Sequence, residues 1–344
     1  MSALNFNKKP DIAELESKLR GSYLGSLRDF ASLLGTMDEA EKAANEMLKE
    51  TGQGVLAPEA PKTEAEQKPE TPDLNELLAE LDGLVGLDRI KENVKSLINL
   101  VKVRKLREEN GLSVPPMSLH MVFMGNPGTG KTTVARLLAG LYCAIGVLSK
   151  GQLVEVDRSG LVAGFVGQTA LKTSEVIEKA LGGVIFIDEA YALTTREGTN
   201  DFGQEAVETI LKAMEDHRDD LIVIVAGYSD LMEEFISSNP GLESRFNRYF
   251  VFEDYTGEQL YAIFASQCVK NQYILGPEAD EAAKKYFRDM YEQRDENFGN
   301  GRDVRNFFEN VVTVHSNRVS QLENPTKDDL MTVIPEDLEK AAMM

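Results

Sequence analysis

Eight consecutive residues constrain this chain more than any others. Gly125-Asn126-Pro127-Gly128-Thr129-Gly130-Lys131-Thr132 fits the pattern G-x-x-x-x-G-K-[ST], directly after the apolar run Leu119 to Met124 and at the start of the helix-forming run Thr132 to Tyr142. A strand, a glycine-rich turn and a helix in that order form a phosphate cradle. The glycines let backbone N–H groups curl around phosphate oxygens, and the helix N-terminus adds its partial positive charge. Lys131 can reach terminal phosphates, and the Thr132 hydroxyl can ligate Mg²⁺.

Further along, the apolar run Val184 to Ile187 ends in Asp188 and Glu189. At a nucleotide site the first acid after such a strand holds the magnesium shell, and the second orients and activates the attacking water. Guanine recognition would need an N-K-x-D element after the phosphate loop, and the sequence has none. Asp157-Arg158-Ser159-Gly160 matches only the loose D-x-x-G pattern, so adenine is the better fit and ATP the expected nucleotide.

The loop and the acids sit in a regular alternation. The apolar runs Leu119 to Met124, Leu153 to Val156, Val184 to Ile187, Leu221 to Ala226 and Tyr249 to Phe252 are short, rich in Val, Ile and Phe, and separated by helix-length segments. That pattern predicts an α/β domain, a five-stranded parallel sheet with helices on both faces. Beyond about Thr256 the strand runs stop, and Glu258 to Lys270, Pro277 to Arg294 and Asp303 to Gln321 read as helices of a small lid-like domain. Residues 55–72 carry Pro58, Pro61, Pro69 and Pro72 among Ala, Glu, Lys and Thr, the composition of a linker. Before it, Ile12 to Leu34 repeats apolar residues near helical spacing, and Met37 to Lys49 reads as a second helix. The expected division is a helical N-terminal region over 1–54, a Pro/Glu-rich linker over 55–75, a nucleotide-binding domain over 76–253 and a helical domain over 254–344.

Charge narrows the partners. With 37 Lys+Arg against 57 Asp+Glu, the net charge of −20 argues against nucleic acid or an anionic membrane as the main partner, since both require a cationic surface. Neither a signal peptide nor an apolar stretch of spanning length is visible, so a cytoplasmic location is expected. Cys143 and Cys268 lack CxxC spacing and read as reduced core thiols. His120, His217 and His315 are isolated, so zinc spacing is absent and any metal would be held by oxygens. Lys102, Arg104, Lys105 and Arg107 read as a solvated helix face.

The stretch from about Leu81 to Asn317 resembles the AAA+ ATPases, phosphate-loop NTPases with a helical lid. Within them it is similar to the subfamily that contains stage V sporulation protein K, the red-type rubisco activases and the type VII secretion ATPases. Leu84-Val85-Gly86-Leu87 resembles the segment lining the adenine pocket, and the resemblance assigns nucleotide contacts to Gly86, Asn126, Pro127, Gly128, Thr129, Gly130, Lys131, Thr132 and Thr133. Ser159 to Thr169 resembles the first pore loop, with Phe165, Val166 and Gly167 as its aromatic, apolar and glycine positions. Asn239 to Phe246 is similar to the arginine-finger segment, with Arg245 the finger and Arg248 in reserve. Gly299 to Asn306 resembles the sensor 2 motif, where Arg302 would touch the γ-phosphate, and Thr332 to Leu338 resembles the closing strand and helix. At the end of the fourth strand, where many relatives carry Asn or Thr as sensor 1, this chain has Val225-Ala226-Gly227-Tyr228-Ser229, so the sensing group is unassigned.

The resemblance implies Mg·ATP hydrolysis by a homohexameric ring of chaperone type that pulls on a protein client, with Glu189, Lys131 and Arg245 catalytic and Thr132 and Asp188 on the metal. A red-type rubisco activase proper is the enzyme alternative, although the segment ahead of the AAA+ region favours another client. An ATP-dependent assembly switch without motor activity is the other alternative.

Overall fold

The computed structural model describes residues 73–115, 117–165, 167–194, 202–295 and 298–344. The expected helical region over 1–54 and nearly all of the linker lie outside these residues. Helix α1 (Leu74–Gly83) starts where Asp73 accepts the Asn75 N–H at 2.7 Å, so positions 74 and 75 of the expected linker are helical. A tight turn follows, and then the long helix α2 (Asp88–Glu109).

The nucleotide-domain elements continue in the expected alternation: β1 (Met121–Gly125), α3 (Lys131–Ala144), β2 (Leu153–Val156), α4 (Arg158–Leu161), α5 (Gln168–Ala180) and β3 (Val184–Ile187). A 3₁₀ turn over Ala190–Leu193 leads to α6 (Gly203–Asp216), β4 (Ile222–Gly227), α7 (Ser229–Ser237), α8 (Pro240–Arg245) and β5 (Tyr249–Phe252). All strand pairings are parallel and the order is β2-β3-β4-β1-β5.

Why the strands read as continuous apolar runs is visible in the packing. Met121 and Phe123 of β1 enter one core with α1, α2 and α3, while Val122 and Met124 enter the other with α5 to α8. Both faces are covered, so every residue of β1, β3 and β4 is buried. The edge strand β5 alternates instead, with Phe250 and Phe252 inside and Tyr249 and Val251 exposed. Fully burying side chains of this size stabilises the fold by about 1.5–3 kcal/mol each, before the entropy of ordering them is counted.

The C-terminal region packs around its own core. Helices α9 (Gly257–Lys270), α10 (Pro277–Glu292), α11 (Gly301–Val319), α12 (Lys327–Met331) and α13 (Pro335–Ala341) surround Phe264, whose ring lies 5.3 Å from that of Phe287 and 5.5 Å from that of Phe307. Thr256 opens α9 with a capping box shared with Gln259. This region is not wholly helical as the sequence suggested. A two-residue strand β6 (Ile274–Leu275) pairs in parallel with β7 (Thr332–Val333), the closing strand expected from the resemblance. Two residues are too few for alternation to register, and the partner strand is distant in sequence. Arg318 forks onto the buried Asp337 carboxylate at 2.9 Å through both Nε and Nη2 and donates to the Thr332 carbonyl, tying α11, β7 and α13 together. Among the described residues no helix is long and apolar enough to cross a membrane.

Candidate nucleotide site

In an open parallel sheet, ligands bind beyond the carboxyl ends of the strands, where the strand order reverses. Here that place is the end of β1, between β4 and β5, and a cavity of about 650 Å³ opens there. Pro127, Gly128, Gly130, Lys131, Thr132 and Thr133 line it from the phosphate loop, and Asp188 and Glu189 from the end of β3. Arg302 closes it from the lid helix α11, together with Arg305 one turn further on. Leu84, Val85 and Leu87 supply apolar walls, whereas Gly86 between them packs on the Gln259 amide and is not a lining residue.

The loop is held by its own polar groups. The Lys131 ammonium donates to the carbonyls of Gly125 at 2.9 Å and Asn126 at 2.8 Å, and the buried Thr129 hydroxyl donates to the Asn126 carbonyl at 2.8 Å. Gly128 sits at φ +73°, and a Cβ there would meet the Gly299 carbonyl oxygen at 2.1 Å, so no larger residue fits between the loop and the lid. Burial holds the Lys131 pKa below its usual value; Asp188 and Glu189 oppose that shift, and Arg302 adds to it. Asn126 and Thr129 do not line the cavity; the Asn126 side chain instead donates to Asp254 at 2.9 and 3.1 Å.

Glu189 is exposed in the cavity and adopts φ 49° and ψ 42°, a left-handed conformation that costs a non-glycine residue about 1–3 kcal/mol. Its backbone N–H bonds the Asp188 carboxylate at 3.1 Å, which orients that carboxylate at the end of the strand. Tyr228, at the strand end where sensor 1 was sought, lines the same cavity, and its ring lies 6.3 Å from that of Tyr191. The sequence leaves the sensing group unassigned there, because a tyrosine departs from the usual Asn or Thr. Among the described residues no three or more His, Cys, Asp or Glu gather as a metal-binding group; the carboxylates lining the cavity are Asp188 and Glu189, with the hydroxyls of Thr132 and Thr133 beside them.

The remaining candidate residues lie apart. Phe165 is 72% exposed at the tip of a loop whose base is fastened. Thr173 donates to the Leu161 carbonyl, Ala163 donates to the buried Thr169 hydroxyl at 3.0 Å, and Lys172 bonds the carbonyls of Ser159 and Val162. Gly167 caps α5 at φ 77°, and Val166 lies outside the described residues. Arg245 stands at the end of α8, outside the cavity of its own chain. Of Lys102, Arg104, Lys105 and Arg107 on α2, Lys105 caps the end of α3 through the carbonyls of Ile145 and Gly146, and Arg107 bonds the Ser113 carbonyl.

His120 is buried beside this region. Its Nδ1 accepts the Val223 N–H at 3.0 Å, and its ring meets Phe246 edge-on. Burial, with a smaller contribution from the charge of Arg245, lowers its pKa from 6.5 to about 4, against a backbone hydrogen bond to Met214 that raises it. Between those values the unfolded chain binds more protons than the folded one, so the contribution of His120 is fully present above pH 6.5 and is lost as pH falls toward 4. From pH 7 to 5 this amounts to about 2 kcal/mol. Denaturant unfolding at both pH values should show that loss in the wild type and a correspondingly smaller loss in His120→Gln; equal losses would assign the acid sensitivity elsewhere.

A five-stranded parallel sheet carrying a phosphate loop after β1, two acids directly after β3 with β4 between the two strands, and an arginine-bearing lid define a nucleoside-triphosphate site of AAA+ architecture. Residues 121–254 match the family described as "ATPase family associated with various cellular activities (AAA)", and residues 256–344 match its "AAA lid domain". The chain belongs to the AAA+ ATPase family. It is 44% identical to stage V sporulation protein K of Bacillus subtilis over 266 residues, covering 77% of this chain and 82% of that protein. It is 41% identical to the chloroplastic ribulose bisphosphate carboxylase/oxygenase activase of Cyanidioschyzon merolae over 273 residues, covering 78% and 92%. Protein CbbX of Cereibacter sphaeroides is 42% identical over 266 residues, covering 76% and 85%. Among solved structures, a mutant of Thermotoga maritima RuvB superposes with a TM-score of 0.51 at 17% identity, covering 76% of this chain and 71% of that one, a likeness of fold.

Proposed function

We propose that this chain hydrolyses Mg·ATP within a ring of identical subunits, a hexamer, and uses the cycle to remodel or partly thread a protein client through the central pore. The observation that carries this reading is the pairing of a complete phosphate cradle with an aromatic side chain, Phe165, held 72% exposed on a fastened loop well away in sequence from the cradle. A buried aromatic would mark an ordinary packed turn. An exposed one on a braced loop is suited to gripping an apolar segment.

The residues present fit ATP and Mg²⁺. Bound there, the metal would neutralise charge on the phosphates. Thr132 and Asp188 would hold it, and Lys131 would lie along the phosphates. Glu189, exposed in the cavity directly after Asp188, would take a proton from water. Leu84, Val85 and Leu87 would pack on the base, and Arg302 would report the phosphates to the lid. Arg245, outside its own cavity, would act on the nucleotide of a neighbouring subunit. The relatives support a protein client, since one of them is by name the activase of a carboxylating enzyme. The net charge of −20 supports partners other than anionic membranes and nucleic acid, and the location we propose is the cytoplasm. The boundaries 1–54, 55–75, 76–253 and 254–344 remain our division of the chain.

Phe165→Ala is the direct test. Truncating the exposed ring should leave ATP affinity within about twofold of wild type, because it touches no cavity residue, and should abolish client remodelling. Unchanged remodelling would remove Phe165 from the gripping role and leave the assembly switch as the better reading.

A further inference from the structure

Three side chains from three separate parts of the chain meet beside the phosphate loop. Asp254 lies between β5 and the capping residue of α9, in the middle of the three-residue passage from sheet to lid. Its Oδ1 accepts the Asn126 side-chain N–H at 2.9 Å and the Asn300 side-chain N–H at 2.7 Å. Its Oδ2 lies 3.1 Å from the same Asn126 nitrogen. Asn126 is the second residue of the phosphate loop, and Asn300 directly precedes α11, two residues before Arg302.

Asn300 is fully buried and adopts φ 52° and ψ −124°, a conformation that belongs to glycine. Its side chain also accepts the Tyr255 N–H at 2.9 Å, so both ends of the amide are engaged on the connector. The strain is borne where the side chain is used twice. Around this point the backbones themselves touch: Gly301 N–H donates to the Gly128 carbonyl at 3.1 Å, and the Tyr255 hydroxyl donates to the Thr129 carbonyl at 3.2 Å. One carboxylate and two amides thus join the loop to the start of the lid helix, beside these direct bonds.

We propose that Asp254 is a positioning residue that clasps Asn126 and Asn300, so that the phosphate loop and the helix carrying Arg302 hold one orientation until the lid opens. The proposal rests on the nucleotide site described above and adds the element that sets how fast nucleotide leaves it. A carboxylate accepting from two amides is the stronger, charge-assisted kind of hydrogen bond, and swinging the lid away requires both bonds to Asn300 to break.

The test uses the full chain and a fluorescent ATP analogue with Mg²⁺, chased by excess ATP in a stopped-flow instrument. Asn300→Asp sets two carboxylates against one another and should speed release by about tenfold or more. Adding Asp254→Asn to it exchanges acceptor and donor across the same contact and should bring release back toward the wild-type rate. Asn300→Gly removes the amide while suiting the backbone conformation, so release should quicken, and the strain relieved should offset most of the cost of the unpaired Tyr255 N–H, leaving the melting temperature little changed. Hydrogen exchange should rise in both variants over residues 126–130 and 299–305. Wild-type protein that binds no analogue overturns the nucleotide reading and this proposal with it. Wild-type binding with variants that release at its rate, or an exchange of partners that restores nothing, overturns the clasp alone.

Discussion

Glu189→Gln should bind ATP as the wild type does and hydrolyse it about 10²–10⁴-fold more slowly, the span removed when a positioned general base is lost. The expectation follows from where the structure puts the two acids. Asp188 ends the β3 strand and accepts the Glu189 N–H at 3.1 Å, while the left-handed backbone of Glu189 keeps its carboxylate exposed in the cavity. Glutamine keeps the size and shape there but replaces the carboxylate by a neutral amide, which removes the charge and the basic oxygen. The phosphate loop, whose lysine bonds Gly125 and Asn126, is untouched. Lys131→Ala should do the reverse and weaken ATP binding itself, because it takes a cation out of the cradle. Single-turnover hydrolysis beside equilibrium binding separates the two, and near-normal turnover in Glu189→Gln would remove the residue from the base role.

The sheet and the phosphate loop were legible because each rests on local rules. Val184 to Ile187 reads as a buried strand because both of its faces are covered, and the glycines of the loop are legible through the positive φ of the turn, whereas the approach of the Gly299 carbonyl to Gly128 is not. Aromatic exposure was half legible: the sequence placed Phe165 on a loop, but only the bonds of Thr169, Lys172 and Thr173 reveal a braced base below a free tip. What the sequence withheld is tertiary. Gly299 to Asn306 drew attention for Arg302, yet Asn300 does its bonding to Asp254 and Tyr255, far away in sequence, and no periodicity announces such a meeting. Residue type leaves Tyr228 unassigned, although its position in the cavity depends only on being at the end of β4. His120 was read only as not zinc-binding, because its acid sensitivity comes from burial between β4, α6 and Phe246.

Mixing two inactive proteins should restore hydrolysis, if Arg245 serves the neighbouring site. Its guanidinium is weakly engaged at home: Nη1 lies 3.4 Å from the Gly241 carbonyl, Nη2 lies 3.7 Å from Glu215, and the buried Nε has no hydrogen-bond partner among the described residues. An exposed ion pair at that distance stabilises by at most about 1 kcal/mol, so little holds the side chain back. Arg248 is the poorer candidate, because its Nε donates to the Ser118 carbonyl at 3.0 Å and its own carbonyl accepts the Val122 N–H at 2.8 Å, fixing it at the start of β1. Arg245→Ala alone should lower turnover by about 10³-fold or more, the scale of a finger that meets charge developing on the phosphates. Lys131→Ala alone should be inactive for want of bound ATP. In an equimolar random mixture, roughly a quarter of interfaces pair an intact Lys131 with an intact Arg245, so activity should return to a comparable fraction of wild type. Arg248→Ala in place of Arg245→Ala should lose stability rather than complement, since its contacts lie within the chain. Sedimentation that finds a monomer at saturating ATP, together with no recovery on mixing, would refute the shared site, and a ring that cannot share its sites could not relay hydrolysis from one Phe165 to the next.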